Sequence, residues 1–542
     1  MSFRWPTSTE YLYALLGVIL LGFLHHVLLV RSKPSEPPLI KGWLPYLGVT
    51  IPFLLGQESY ITHLRSTHGE IFTLYMMGYR ITVVLDPISG IPAVYRNSKV
   101  FSFSEWEKHA EMAIMGLDRK IANNRPMMTD MWATLSPFLS QPAKVMDITR
   151  SFVRHLTEVY QRELPRWIEM GVLSEQGMEV DFKNWWYRWM FEAAGKALFG
   201  DTFPTEKEFF DDYECFEEKF GEMMMMFPSF LIRKNLQARK RFRKRMAEFF
   251  AKGLVNESEF VRARINVSPS LVFGLIIGVQ EVWIHRGRCR KRNVGHVTCF
   301  GSIPPQHVRK LIQANPLPAS MWYMLHVLAS PSRDTILKTI SQHATDTQNP
   351  CADSFNLDSM LTDPLLHALF SETLRLQATT LTVRGVTTHT TLPVIDDEYF
   401  IRKGTILIAP ASALHMDEEI FPNPKTFRSD RFYGHGDIES VHIPGTGEGD
   451  YATATTANKP TTTTTTKVSE KEVKDKRVAD IPGALIGRKD ARFKKNGVVV
   501  KHNLIPFGGG DHLVSFLGEK TKSSVREDGL QSMRSLLGVR LF

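Results

Sequence analysis

The sequence predicts a mainly helical fold with a small β-rich subdomain, an α+β arrangement, and three features predict it. Aromatic and aliphatic residues recur at spacings of three and four through 149–169, 181–199 and 205–226, the repeat of helices with one buried face. Strand-type runs are confined to EIFTLYMMGYRITVVLDP at 70–87 and to a Thr-, Val- and Ile-rich stretch at 380–412. The 542 residues, 43% hydrophobic and 23% charged, have ordinary globular composition and enough apolar side chains for a substantial core.

Taken in order, residues 11–30 (YLYALLGVILLGFLHHVLLV) are almost wholly apolar, and about twenty helical residues match the roughly 30 Å hydrocarbon core of a bilayer. A membrane anchor is expected over 1–32, spanning 11–30; a cleaved signal and a buried helix are the alternatives. Arg31, Lys33 and Lys41 follow the stretch while only Arg4 precedes it, which places the body on the cytosolic side of a single-pass protein in contact with membrane lipid. Prolines in KPSEPPLIKGWLP at 33–45 cannot continue a helix, so 33–48 reads as a stiff hinge. A short helix is expected at 57–68, then a hairpin turning at Met77 and Gly78. Helices follow to about 380, and Met223 to Met226 fill core or line an adaptable lipophilic pocket. The main domain is expected over 49–513, with inserts at 266–306, which lacks a steady period, and at 437–482, which carries Thr461 to Thr466 in a row.

The balance of 66 basic and 57 acidic residues gives a charge of +9, an excess suited to anionic lipid or an acidic partner. No nucleic acid partner is expected, since the basic run Arg239 to Arg245 lacks a recognised binding module around it. Cys215, Cys289, Cys299 and Cys351 show no paired spacing, which excludes a disulfide scaffold and favours a reducing compartment.

Five sequence features bear on chemistry. SETLRL at 371–376 sets Glu372 and Arg375 three apart, on one helical face and within ion-pair reach. Arg384 follows in a β-rich run, then FPNPKTFRSDRF at 421–432, then the glycine loop PFGGGDHL at 506–513. In this order and approximate spacing they resemble the helix K motif, the propionate arginine, the Arg-Phe segment and the haem loop of the cytochrome P-450 superfamily. QANPLPASMW at 313–322, with Asn315 and Pro318, is similar to the oxygen-side helix of the branch containing sterol 7α-hydroxylases and prostacyclin synthase; a kinked core helix is the plainer alternative.

That resemblance implies a cytochrome P-450 fold and a haem-dependent monooxygenase, with haem b as cofactor. It further implies electrons from an NADPH-cytochrome reductase, a lipophilic small-molecule substrate such as a sterol or fatty-acid derivative, and the endoplasmic reticulum membrane as location. A structural triad of Glu372, Arg375 and Arg431 is implied, together with cofactor contacts from Arg384, Phe507, Gly508, Gly510 and His512. The sequence departs from the family at one decisive point: Val514 stands where the iron-ligating cysteine belongs. Valine has no charge or lone pair to offer a metal, whereas the thiolate pushes electron density that favours O–O cleavage. The tail 514–542 is short and rich in Lys, Ser and Arg, as in-frame read-through of an intron would produce, Val514-Ser515 matching a translated splice donor. Three readings therefore stand: an enzyme by family, a catalytically inactive protein of the same fold, and a single-pass lipid-binding protein.

Overall fold

The computed structural model describes residues 31–103, 142–169, 182–219, 222–223, 229–252, 259–265, 316–345, 354–377, 381–395, 397–433, 493–500 and 504–505, with scattered positions between 13 and 24 and between 112 and 138. Its helices and strands divide between an aromatic helical part and a β-rich part.

The β-rich part begins with strand β1 (Leu39–Ile40), helix α1 (Thr50–His68) and the hairpin β2 (Ile71–Met76) and β3 (Tyr79–Val84). Met77 and Gly78 turn the hairpin with φ of 50° and 81°, the left-handed pair that matches the twist of the flanking strands. A side chain at Gly78 would also crowd the Tyr46 ring, 3.1 Å from the position of its Cβ. Alternation along β2 places Phe72, Leu74 and Met76 in one cluster with Phe53, Ile61 and Leu64 of α1. Helix α2 (Gly90–Arg96) and strand β4 (Phe101–Ser102) follow.

The remaining strands come from far along the chain: β5 (Leu381–Val386), β6 (Thr390–Val394), β7 (Asp397–Ile401) and β8 (Ile406–Pro410). β8 runs parallel to β3, with Ile81 opposite Ile406, and antiparallel to β5, with Arg384 opposite Leu407. The resulting six-stranded sheet has the order β1-β2-β3-β8-β5-β4. β6 and β7 form a separate hairpin.

The helical part comprises α3 (Pro142–Glu169), α4 (Phe182–Phe199), α5 (Lys207–Glu218), α6 (Arg233–Ala251) and α7 (Glu259–Ile265). Val145, Ile148, Phe152, Leu156 and Val159 of α3 form its buried stripe. Trp186, Phe191, Phe209, Tyr213 and Phe242 join them in one core, and Met223 is buried there too. Met224 to Met226 lie outside the described residues.

Between the two parts run α8 (Pro316–Ala329), α9 (Arg333–Gln342), α10 (Leu357–Thr362) and α11 (Pro364–Gln377), followed after β8 by α12 (Ala411–His415). α11 is buried from Leu365 through Leu376, so its polar side chains must find partners inside the protein. A last hairpin, β9 (Lys494–Lys495) and β10 (Val498–Val499), leads to the buried pair Leu504 and Ile505.

The single-pass expectation is corrected here. Among the described residues no helix is long and apolar enough to cross a membrane. Crossing takes about twenty consecutive residues, and within 11–30 only Tyr13, Leu16, Gly17, Leu20, Gly22, Phe23 and Leu24 are described, all helical. The single-pass location in the endoplasmic reticulum membrane and the cytosolic orientation read from that span are withdrawn with it. The stretches 266–306, 437–482 and 514–542 lie outside the described residues.

Candidate functional site

The site starts from two charged side chains that helix α11 carries into the interior. Glu372 and Arg375 are both 0% exposed, one turn apart on the same face. Arg375 Nε donates to Glu372 Oε2 and its Nη2 to Oε1, each at 2.8 Å. This two-toothed pairing matches the planar guanidinium to the carboxylate and fixes both side chains.

A second guanidinium arrives from the loop after α12. Arg431 Nε donates to Glu372 Oε1 at 3.0 Å, and the backbone N–H of Arg428 donates to the same oxygen at 3.1 Å. Glu372 therefore serves two cations, and the remaining guanidinium hydrogens turn to backbone carbonyls. Arg375 Nη1 donates to the carbonyls of His415 at 2.8 Å and Pro424 at 2.7 Å. Arg431 Nη1 donates to Pro422 at 2.9 Å, and its Nη2 to Asn423 at 3.3 Å. The guanidinium of Arg375 also lies 5.2 Å over the Phe421 ring.

Burial pushes the Arg431 guanidinium below its ordinary pKa, with Glu372 acting in the opposite sense and Arg375 adding to the fall. The arrangement pairs its charges internally. Its chemistry is to hold: three side chains convert 415–431, a stretch with no strand and little helix, into a shaped surface.

Arg384 lies elsewhere, on β5 of the sheet. It is 6% exposed, which removes the surface-strand reading. Its Nη1 donates to the Val383 carbonyl at 2.8 Å, and its guanidinium stands 5.6 Å over the Phe103 ring. Burial pushes its pKa down, with Tyr95 opposing. The Tyr95 hydroxyl shares a 3.0 Å hydrogen bond with Thr382.

Pro318 lies within the described part of α8. In the same helix, Ser320 Oγ accepts a 2.9 Å bond from Trp186 Nε1 and so ties α8 to the aromatic core. Asn315, Phe507, Gly508, Gly510, His512 and Val514 lie outside the described residues.

Sequence reasoning missed His415. It is wholly buried, its carbonyl is held by Arg375, and its Nε2 accepts the backbone N–H of Ile505 at 3.0 Å. The motif-bearing sequence around it, ALHMDEE, carries no periodic or spacing signal that would single it out. Also missed was the network of Arg65, Glu70, Asp417 and Lys495, with contacts of 2.7 to 2.9 Å.

A helix whose buried glutamate and arginine grip a distant loop, beside a mixed sheet and a large helical part, is the arrangement that the resemblance to the cytochrome P-450 scaffold leads one to expect. The family model for cytochrome P-450 matches residues 37–268 and 319–443, more than half of the chain. The chain belongs to the cytochrome P-450 family. It is 25% identical to 7-alpha-hydroxycholest-4-en-3-one 12-alpha-hydroxylase of Oryctolagus cuniculus, over 81% of this chain and 84% of that protein. It is 26% identical to 5-beta-cholestane-3-alpha,7-alpha-diol 12-alpha-hydroxylase of Sus scrofa, over 77% and 80%. Against cholesterol 7-alpha-monooxygenase of Cricetulus griseus it is 24% identical over 74% and 77%.

The cofactor of the family is haem b. The donor set of this chain fits that group at one end and not at the other. A buried guanidinium such as Arg384 suits a propionate. An axial thiolate has no source at position 514, which is valine. The one free cysteine among the described residues, Cys215, packs against the aromatic core of the helical part. No oxygen-activating step is therefore derived for this chain.

Proposed function

We propose that this chain carries the scaffold of a sterol-oxidising monooxygenase whose oxygen chemistry is disabled at Val514. The observation that carries the scaffold is the closed Glu372–Arg375–Arg431 network, in which the two arginines and the Arg428 N–H meet one buried carboxylate. The names of the three relatives given above, hydroxylases or a monooxygenase of cholestane derivatives and cholesterol, support a lipophilic small molecule of sterol class as the ligand. Haem b, held at its propionates by Arg384 and His512 and flanked by Phe507, Gly508 and Gly510, is the matching cofactor, and NADPH-cytochrome reductase the matching electron donor. Asn315 and Pro318 belong to the sequence counterpart of the oxygen-side helix in this reading. Exposed Tyr13, Leu16, Leu20, Phe23 and Leu24 recur at helical spacing and support contact with membrane lipid near the N-terminus.

Val514 favours a second, nested reading: a non-catalytic member of the fold, produced when an intron is retained after codon 513. The retained intron is tested by sequencing the transcript across codon 513, where a mature message that still encodes valine overturns it, and the disabled monooxygenase scaffold by the reduced, carbon monoxide-bound spectrum of the full chain. The unmodified chain should give no thiolate-type Soret band. The band should appear when Val514→Cys is combined with a family-type C-terminal tail. A thiolate band from the unmodified chain overturns the loss of function. Absence of any haem binding by the restored chain overturns the monooxygenase reading.

A further inference from the structure

His415 is a buried titratable side chain that the Glu372 network does not use as an acid or base. It ends α12, it is 0% exposed, and each of its polar faces has a distinct environment. Its carbonyl is capped by Arg375 Nη1 at 2.8 Å. Its ring Nε2 lies 3.0 Å from the backbone nitrogen of Ile505, ninety residues along the chain. Phe421, over which Arg375 is also placed, meets the imidazole edge-on at 6.5 Å. A backbone N–H can only donate, so Nε2 must accept, and the neutral ring then carries its hydrogen on Nδ1. Burial and the Arg375 charge both push the imidazole away from protonation, to a pKa of about 3. Nδ1 is itself buried and has no partner among the described residues. The ring thus satisfies the Ile505 N–H, a buried donor that would be costly to leave unpaired.

Ile505 is also the last described residue before the glycine sequence PFGGGDHL. Leu504 and Ile505 are buried in the same cluster as Leu369, Leu374 and Phe421.

We propose that His415 is a positioning residue: through its Nε2 it fixes the backbone at Ile505, brought from ninety residues along the chain, to the Glu372–Arg375–Arg431 network. The inference deepens the family reading, but its test reads ring and amide nitrogens rather than haem, so either can fail without the other.

Two measurements on the full chain decide it. In H415L the Ile505 amide should exchange about tenfold faster than in the parent, one hydrogen bond's worth of local protection, while amides of α3 and α4 keep their parent rates. H415Q places Oε1 near the position of Nε2 and should restore slow exchange. An Ile505 amide as slow in H415L as in the parent overturns the proposal, and so does a glutamine variant no better than leucine. Nitrogen-15 spectra of histidine-labelled parent protein at neutral pH make the decision independent of how the variants fold. A neutral ring protonated on Nδ1 supports the proposal, and one protonated on Nε2 overturns it.

Discussion

The helical part around α4 and the loop gripped by α11 achieve order in opposite ways. In the first, aromatic rings meet one another repeatedly: Phe191 lies 4.8 Å from Tyr213 and 5.4 Å from Phe210, and Phe209 stacks on Phe242 at 4.6 Å. Each contact is worth little alone, and stability is spread over many of them. In the second, one carboxylate and two guanidinium groups hold a loop that has almost no regular structure. Loss of a single charge there leaves its partners stranded, whereas a single lost ring is one of many. Spread contacts give tolerance, and concentrated polar contacts give definition of shape.

The sharpest way to break this contrast is Glu372→Gln. The variant keeps the size of the side chain but leaves Arg375 and Arg431, 0% and 7% exposed, as two buried cations without an anion. Breaking a buried ion pair from one side costs about 3–5 kcal/mol. Urea unfolding followed by circular dichroism should register a loss of that size. A loss below about 1 kcal/mol would show that the backbone carbonyls alone stabilise both arginines.

A smaller effect is expected in the aromatic part from Gly195→Ala. A Cβ at that position would stand 2.0 Å from Phe203 Cε1, so the ring must move. It is hemmed in by Phe191, Phe199, Phe209 and Phe249 at 5.3 to 6.2 Å. Overpacking costs about 1–3 kcal/mol, and the gain in helix propensity from Gly to Ala, up to about 1 kcal/mol, offsets part of it. The net destabilisation should be about 1–2 kcal/mol, with near-ultraviolet circular dichroism altered because the ring cluster is rearranged. An unchanged aromatic spectrum would mean that Phe203 has room to yield.

Much of the first region and only part of the second were legible in the sequence. The three- and four-residue spacing of α3, α4 and α5 is a local property, as is the alternation of β2 and β3, so each is visible in a short window. Glu372 and Arg375 were visible for the same reason. The parallel pairing of β3 with β8 was not, because Ile81 and Ile406 are joined by contact alone and no local pattern records it. Arg431 could be assigned only through family resemblance, and the carbonyls of Pro422, Asn423 and Pro424 could not be assigned at all, since every residue has one. His415 was missed because its role depends on Ile505 being brought beside it.

The smallest expected effect sharpens the comparison by testing a polar network that is only partly enclosed. Asp417 accepts from Arg65 at 2.7 Å and from Lys495 at 2.8 Å, and so ties α1 to the last hairpin. Burial raises the pKa of this carboxyl, but the hydrogen bonds and charges of Lys495 and Arg65 outweigh it, so the net displacement is downward. A carboxylate with a lowered pKa in the folded state contributes stability above its unfolded value, about 3.9, and loses it as pH falls through the folded value. Asp417→Asn should therefore cost stability at neutral pH and make the loss on acidification below about pH 4 shallower than in the parent. Glu70 still bridges the same two cations, at 2.7 Å to Arg65 and 2.9 Å to Lys495. Arg65 is 21% exposed and partly solvated, so the neutral-pH cost should be about 1 kcal/mol rather than that of a sealed pair. Urea titrations of parent and variant across the acid range measure both quantities. Equal acid limbs would assign the pH dependence to carboxylates outside this network, and a cost approaching that of Glu372→Gln would show that Glu70 cannot hold both cations alone.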